Sequence, residues 1–127
     1  MNRSFVFVLS VLGILSALFL SQSTPADAAS SLRIEVLERS DCAHCQAEHA
    51  FLDALKNRRD DVEIRFYDTD DKGKGAELFR EVTSRENLSK STPVTLVGGI
   101  VIQGFATAET TGKRFEDLLD RPKGDPR

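Results

Sequence analysis

The chain has 127 residues, of which 29% are charged, and its formal net charge at pH 7 is −3. This mildly acidic balance offers no basic patch for nucleic acid or for an anionic membrane surface, so neither class of partner is expected. The two cysteines and two histidines of the chain all lie in the segment SDCAHCQAEHA at residues 40–50. The chemistry of these side chains is therefore expected at one place in the fold.

The first 28 residues have the layout of a secretory signal peptide. Arg3 supplies a positive start, residues 5–20 are almost entirely apolar, and Ala26-Asp27-Ala28 matches a small-x-small cleavage site. An uncleaved membrane anchor is the alternative, but the apolar run is shorter than the roughly 20 residues that a spanning helix needs. We therefore expect cleavage after Ala28 and a periplasmic or otherwise extracytoplasmic protein, in a compartment where paired cysteines can stay oxidised.

The first half of the remaining chain alternates between strand and helix. Residues 32–37 alternate apolar and charged side chains as far as Leu37, which is typical of a half-buried strand, and residues 62–66 alternate in the same way. Between these strands a helix follows the cysteines and closes near residues 57–60. Its apolar residues recur with the helical period and predict an inward face made of Ala47, Ala50, Phe51, Ala54 and Leu55.

The second half contains a helix, a hairpin and a last helix. The first of these helices is predicted from Ala76 to about Glu86. The clearest local signal is Gly98-Gly99 between two β-rich runs, residues 94–97 and 100–103, because two glycines can take the positive φ angles of a tight turn. The apolar side chains that the two helices are expected to turn inward are Leu78, Phe79 and Val82, and Phe115, Leu118 and Leu119.

The predicted elements follow one another in the order β-α-β-α-β-β-α. The first three suit a parallel βαβ unit with a right-handed crossover, and the last three add an antiparallel hairpin and a covering helix. The sequence therefore predicts an α/β fold with a central four-stranded mixed sheet flanked by helices. The domain is expected to span residues 29–121, and residues 122–127, with two prolines and a glycine, are expected to form a flexible tail.

Cys42 and Cys45 lie just after the first strand, at the start of a helix. Unpaired backbone N–H groups and the positive end of the helix dipole stabilise an anion there, so Cys42 is expected to carry the nucleophilic thiolate. Cys45, one turn further on, is close enough to resolve a mixed disulfide on Cys42. His44 favours the thiolate, whereas the Asp41 carboxylate disfavours it. We expect His44 to dominate, with Asp41 turned outward or capping the helix.

Two other interpretations of the cysteines remain open. An inert structural disulfide across so short a loop would add only about 2 kcal/mol of stability, which makes it a poor staple. A metal site is the sharper alternative, because Cys42, Cys45 and His49 follow at i, i+3 and i+7 and would share one face of a continuous helix. Such a set could hold copper or zinc, with Glu48 or a partner protein completing it. Covalent haem is disfavoured, since Gln46 stands where C-x-x-C-H needs histidine.

Thr92-Pro93 follows the cysteines by about 50 residues and opens the hairpin that Gly98-Gly99 closes. Together with a strand and C-x-x-C at a helix start, this pattern resembles the thioredoxin-like superfamily over essentially all of residues 32–120. The resemblance implies that Pro93 is cis and lies against the dithiol, and that Thr92 presents backbone groups to an extended substrate. The length resembles glutaredoxin-sized members, and the histidine before the second cysteine resembles the strongly oxidising periplasmic disulfide oxidases.

Three features depart from the pattern of that superfamily. Asp41 and Ala43 replace the aromatic residues or proline that often flank the first cysteine. Val36 stands where thioredoxins place a buried acid on the strand, six residues before the first cysteine. The segment Gly104-Phe105-Ala106-Thr107 replaces the Gly-Gly-x-Asp pattern with which glutaredoxins hold glutathione. The thiol chemistry does not depend on these positions, whereas the binding of glutathione does.

The sequence therefore predicts an exported thiol–disulfide oxidoreductase that acts on protein thiols and disulfides, as oxidase, isomerase or reductase. Its site is expected to combine a catalytic pair, two tuning residues and two substrate-binding residues: Cys42 and Cys45, His44 and Asp41, and Thr92 and Pro93. No metal and no cofactor beyond the Cys42–Cys45 disulfide is expected. The protein is expected to be a monomer that exchanges electrons with a membrane redox partner. The alternatives are a module that binds or delivers copper or zinc and an adaptor that keeps the fold without turnover.

Overall fold

The computed structural model describes residues 32–70 and 72–122. The predicted signal peptide (residues 1–28) and residues 123–127 of the predicted tail lie outside the described residues. Within the described part of the chain, the strands and helices follow the predicted order: β1 (Leu32–Glu38), α1 (Ala43–Arg58), β2 (Val62–Asp68), α2 (Lys74–Arg85), β3 (Val94–Val97), β4 (Ile100–Gln103) and, after one π-helical turn (Ala108–Gly112), α3 (Lys113–Leu119).

The four strands form one mixed sheet in the order β2-β1-β3-β4. β1 pairs with β2 in parallel and with β3 antiparallel, and β3 pairs with β4 antiparallel. The parallel pair is joined by α1, as a βαβ crossover requires. The predicted fold class is thereby confirmed: an α/β, thioredoxin-like arrangement with a central four-stranded mixed sheet flanked by helices.

The helices cover both faces of the sheet, because successive side chains of a strand point to opposite faces. In β1, Ile34 and Val36 face α1 and α3, whereas Leu37 faces α2. The larger core lies on the α1 and α3 side and is made of Ile34, Val36, Leu52, Leu55, Val62, Val97, Ile102, Phe105, Phe115 and Leu119. The smaller core, on the α2 side, is made of Leu37, Val82 and Val94 with partly buried neighbours that include the predicted Leu78 and Phe79.

The inward face of α1 differs from the predicted one. Ala47, Ala50 and Ala54 are exposed, Phe51 is partly buried against the core, and the fully buried side chains of the helix are Cys45, Glu48, Leu52 and Leu55. Two leucines remove more apolar area from water than three alanines, so the helix turns them toward the sheet. The prediction was thus right for Leu55 and for Phe51, which packs against the core. It was wrong for the three alanines, because this orientation also buries a glutamate, which an apolar pattern does not count as part of an inward face.

The chain between β3 and β4 makes the predicted tight turn. Gly98 and Gly99 have φ angles of 57° and 88°, which residues with a side chain rarely adopt, so the two glycines satisfy the turn. α2 begins at Lys74, two residues before the predicted start, and ends at Arg85. Within the described residues, no helix is long and apolar enough to cross a bilayer.

Gly75, in the first turn of α2, packs directly against the end of β2. A Cβ at this position would collide with the backbone carbonyl group of Asp68. We expect Gly75→Ala to lower the free energy of unfolding by about 1–3 kcal/mol, because the backbone has to shift to make room. Thermal unfolding checks this, with the exposed Lys72→Ala as the control. An unchanged melting temperature in Gly75→Ala would contradict the packing described.

Candidate active site

Cys42 and Cys45 form a disulfide where β1 passes into α1. Cys42 is the N-cap of α1, Cys45 lies in its first turn, and their Cα atoms are 5.2 Å apart. The backbone N–H of Cys45 donates a hydrogen bond to Cys42 Sγ, at 3.2 Å. Cys45 is 1% exposed, whereas Cys42 is only partly buried. Cys42 is therefore the more accessible of the two cysteines.

The loop before β3 lies against the disulfide. The Thr92–Pro93 peptide bond is cis, and Pro93 is buried. Cys42 Sγ lies 3.5 Å from the carbonyl oxygen of Thr92. The structure thus brings Thr92 and the two cysteines together, although the two segments are 50 residues apart in the chain. The substrate-binding role of Thr92 and Pro93 stays a prediction.

A groove of about 430 Å³ opens beside this loop. Gln103 supports its edge, because Gln103 Nε2 donates hydrogen bonds to the carbonyl oxygens of Ser89 at 2.7 Å and Ser91 at 3.0 Å. The groove contains no lysine or arginine among its described lining residues, which are His44, Ser91, Thr92, Gln103, Gly104, Phe105, Ala106 and Thr111. Its wall thus combines polar side chains and backbone with the apolar residues Phe105 and Ala106.

His44 forms its hydrogen bond away from the cysteines. Its Nδ1 lies 2.9 Å from the carbonyl oxygen of Phe105. A carbonyl oxygen can only accept, so Nδ1 carries the proton and donates. This contact ties the first turn of α1 to the chain after β4 and places the ring in the wall of the groove. The tuning of Cys42 by His44 stays a prediction.

Asp41 is turned outward and paired with Arg39. Arg39 Nε and Nη2 donate to the two carboxylate oxygens of Asp41 at 3.0 and 2.8 Å, and Arg39 also lies 3.4 Å from Asp70. The cap of α1 is supplied by Cys42 itself and not by Asp41. Of the two positions expected for Asp41, the structure shows the outward one. Sequence reasoning missed the Arg39 partner, which offsets the negative charge of Asp41 beside Cys42.

We expect Arg39→Ala to make the dithiol more reducing. Without its partner, the Asp41 carboxylate disfavours a thiolate at Cys42 and so destabilises the reduced form. The pair is exposed to solvent, so the shift in reduction potential should stay within about 30 mV, a tenfold change in the equilibrium constant. The potential is measured against glutathione buffers. Asp41→Asn in the Arg39→Ala background should restore it, and a shift that survives both changes would contradict this account.

Glu48 is the residue of the site that the sequence did not identify in this role. Its side chain is completely buried on the face of α1 that bears Cys45. The hydroxyl of Thr95 donates a hydrogen bond to Glu48 Oε1, at 2.5 Å. The other oxygen, Oε2, is buried and has no hydrogen-bond partner within the described residues. Burial raises the pKa of Glu48 to about 7 and the Glu38 carboxylate adds to the rise, while the Thr95 hydrogen bond lowers it.

His49 lines a second cleft, which Cys45 also borders. Its ring stacks on Phe66, with the ring centroids 4.0 Å apart. Its Nδ1 lies 3.4 Å from a carboxylate oxygen of Glu38, and its Nε2 lies 3.9 Å from Asp53. The cleft is lined by His49, Glu38, Asp53 and Cys45 together with Arg39, Ser40, Gln46 and Ala50.

The residues of the alternative metal site are not arranged as ligands. Cys42 and Cys45 are bonded to each other, Cys42 precedes the helix, and His49 faces carboxylates and Phe66. The described part of the chain contains no group of three or more histidine, cysteine, aspartate or glutamate side chains placed to hold a metal ion. The structure thus shows the two cysteines as a disulfide and not as metal ligands.

The similarity of this chain to known proteins is confined to solved structures. No protein-family model matches the sequence, and none of the curated proteins matches it. Among solved structures, the chain is similar to a glutaredoxin from Archaeoglobus fulgidus, with 20% identity and a TM-score of 0.49 over 72% of this chain and 88% of that one. The function therefore rests on the site itself, and a C-x-x-C disulfide at the first helix of this fold supports thiol–disulfide oxidoreductase chemistry in general.

Proposed function

We propose that this protein is an exported thiol–disulfide oxidoreductase that exchanges disulfides with protein substrates through Cys42 and Cys45. The observation that carries the proposal is the asymmetry of the pair. One sulfur is accessible at a helix start, next to the Thr92 carbonyl, and the other is 1% exposed behind it. An inert staple needs no such difference between its two sulfurs, whereas sequential attack and resolution do.

The surroundings of Cys42 suit a nucleophile. In the oxidised protein the N–H of Cys45 already points at Cys42 Sγ, and after reduction the same donor would stabilise the thiolate. The first turn of α1 carries no acidic side chain, so the positive end of the helix dipole acts on the sulfur without an opposing charge there. A substrate sulfur attacks, or is attacked by, Cys42, and Cys45 then closes the internal disulfide.

The groove beside Cys42 favours an extended polypeptide over glutathione. Glutathione carries two carboxylates, and the described lining residues of the groove offer no lysine or arginine to pair with them. Backbone carbonyl and amide groups of the loop at Thr92 can instead pair with the backbone of a protein substrate. We therefore infer that protein thiols and disulfides are the substrates.

The remaining partners follow from the number of cysteines in the chain. Two cysteines make one redox pair, so a second protein has to supply or remove electrons, and for an exported enzyme that partner lies in the membrane. The working protein in this proposal is a monomer after cleavage at Ala28. It needs no cofactor other than its own disulfide, and it works in the periplasm or another extracytoplasmic space.

Catalysis of insulin reduction by dithiothreitol tests the proposed activity. The protein lacking residues 1–28 should accelerate the reduction of insulin disulfides over dithiothreitol alone. Equal rates with and without the protein would overturn the proposed function.

The reduction potential of the Cys42–Cys45 couple then assigns the direction of electron flow. A potential between about −120 and −180 mV, measured against glutathione buffers at pH 7, would indicate a donor or isomerase of disulfides. A potential near or below about −270 mV would indicate a reductase that receives electrons from its membrane partner.

A further inference from the structure

Gln103, the last residue of β4, spends its side-chain amide on the segment that leads to Pro93. Its Nε2 donates to the carbonyl oxygens of Ser89 at 2.7 Å and Ser91 at 3.0 Å, and its Oε1 accepts a hydrogen bond from the Ser89 hydroxyl at 3.2 Å. A carbonyl oxygen can only accept, so the amide nitrogen and not its oxygen faces the two carbonyl groups. Both N–H groups of the amide are therefore engaged by the segment.

The same end of β4 also holds the chain on the other side of Thr92. The backbone N–H of Gly104, the residue after Gln103, donates a hydrogen bond to the carbonyl oxygen of Pro93 at 2.8 Å. The carbonyl groups on either side of Thr92, those of Ser91 and Pro93, are thus both held by the end of β4.

Thr92 remains as the residue between them whose two backbone groups are available. Its N–H has no hydrogen-bond partner within the described residues. Its carbonyl oxygen lies 3.5 Å from Cys42 Sγ, but a disulfide sulfur carries no hydrogen to donate, so this oxygen can still accept. Pro93 differs because it has no N–H. A residue before proline prefers an extended backbone, which can exchange two hydrogen bonds with one residue of an added strand.

We propose that Gln103 sets the register in which a polypeptide substrate binds beside Cys42. It holds the carbonyl groups of Ser89 and Ser91, which would otherwise accept hydrogen bonds from a strand bound in a shifted register, and so leaves Thr92 as the docking residue. The inference rests on the proposed function and deepens it, because it assigns the positioning of the substrate at that same site. Gln103 acts through the loop and is a positioning residue, not a catalytic one.

The register of a bound strand decides whether its disulfide reaches Cys42. Successive residues of a strand are about 3.3 Å apart and point to opposite faces. A slip by one residue therefore moves the substrate cysteine along the groove and turns it away from the nucleophile. A small disulfide has no strand to align and needs no register. The contribution of Gln103 is thus confined to polypeptide substrates.

Two disulfides test this inference with the same reduced protein. One is an uncharged decapeptide dimer joined through a single central cysteine, and the other is bis(2-hydroxyethyl) disulfide. Each is mixed in excess with the protein, and the saturation constant and limiting rate of exchange are measured. Gln103→Leu keeps the approximate size of the side chain but removes its donors, so it should raise the saturation constant for the peptide about tenfold. The limiting rate, the reaction with the small disulfide and the reduction potential should stay as in wild type.

A scan of N-methylated peptides detects the register directly. Each peptide carries one methyl group in place of a backbone N–H, at one of the positions that flank the cysteine. Wild type should bind about tenfold more weakly at one position, the residue that donates to the Thr92 carbonyl, and should tolerate the methyl group at the neighbouring positions. In Gln103→Leu the sensitivity should be spread over several positions, because the strand binds in more than one register.

Two further variants separate the positioning of the loop from other effects of substitution. Gln46 also donates to a backbone carbonyl oxygen, that of Ser40 at 3.2 Å, so Gln46→Leu is the matched control and should behave as wild type in every measurement. Ser89→Ala removes the hydroxyl that donates to Gln103 Oε1 and should raise the saturation constant for the peptide less than Gln103→Leu does. If Gln103→Leu does not fold, a wild-type constant and scan in Ser89→Ala would overturn the inference.

The outcomes distinguish this inference from the function on which it rests. A wild-type protein that exchanges with neither disulfide overturns the proposed function, and exchange with the small disulfide alone overturns the proposed protein substrates. If wild type exchanges with both, an unchanged saturation constant in Gln103→Leu overturns the role of Gln103 alone. Equal slowing with both disulfides, or a scan that keeps its single sensitive position in Gln103→Leu, also overturns that role, because a residue that only stabilises the fold would behave in this way.

Discussion

Replacing Cys42 by serine is expected to abolish thiol–disulfide exchange, and replacing Cys45 by serine is expected to stop the reaction halfway. Cys42 is the accessible sulfur at the start of α1, so its loss removes the group that meets the substrate. Cys45 is buried and acts only after a mixed disulfide exists. Without it, Cys42 should stay covalently joined to its partners.

Insulin reduction and non-reducing electrophoresis check the two halves of this prediction. Cys42→Ser should react at the background rate of dithiothreitol, whereas Cys45→Ser should accumulate mixed disulfides that a reductant releases. Ala47→Ser, which changes an exposed residue of the same helix, is the matched control and should keep wild-type activity. Wild-type turnover by Cys42→Ser would contradict the assignment of the nucleophile, and mixed disulfides trapped by Cys42→Ser in place of Cys45→Ser would reverse the two roles.

We expect Glu48→Gln to make the oxidised protein more stable, relative to wild type, at alkaline pH than at acidic pH. Burial raises the pKa of Glu48 from 4.5 to about 7, so the folded protein holds this proton more tightly than the unfolded chain. The associated stability is fully present below pH 4.5 and is lost as pH rises through about 7. Each pKa unit corresponds to about 1.4 kcal/mol, so the wild type should lose about 3 kcal/mol between about pH 4.5 and 8 through this group.

Urea unfolding of the disulfide form at about pH 5 and about pH 8 measures this change. Glu48→Gln has no proton to lose, so the difference in unfolding free energy between wild type and variant should shift by about 2–3 kcal/mol in favour of the variant at the higher pH. Asp60→Asn, at an exposed position after α1, is the control and should show no comparable shift. A difference that is independent of pH would mean that Glu48 does not titrate in this range.

The reducing or oxidising character of the pair depends on how its neighbours are held. Asp41 accepts hydrogen bonds from Arg39, and His44 donates one to the carbonyl oxygen of Phe105. Both residues remain close to the cysteines in the chain, but each already has a partner. The direct contacts that the structure shows on Cys42 Sγ are then the hydrogen bond from the N–H of Cys45 and the Thr92 carbonyl oxygen at 3.5 Å. The measured potential will show how far the two more distant groups add to it.

The sequence by itself determined the elements whose signals are local. The alternation of β1 and β2, the Gly98-Gly99 turn and C-x-x-C after a strand depend on residues that are neighbours in the chain. A strand period of two or a turn with positive φ can be recognised within a few residues. The α/β fold, the element order and the position of the dithiol at a helix start were therefore predictable.

The tertiary structure alone decided which polar groups meet. Thr95 and Glu48 are 47 residues apart and His44 and Phe105 are 61 apart, so no local pattern pairs them. The orientation of α1 was predicted only in part: Leu55 lies on the expected face, but the burial of Leu52 turns the three alanines outward and carries Glu48 into the interior. A buried carboxyl group is tolerated only where a hydrogen-bond partner, here Thr95 on β3, lies next to it. That partner, and with it the chemistry of Glu48, exists only once β3 has packed against α1.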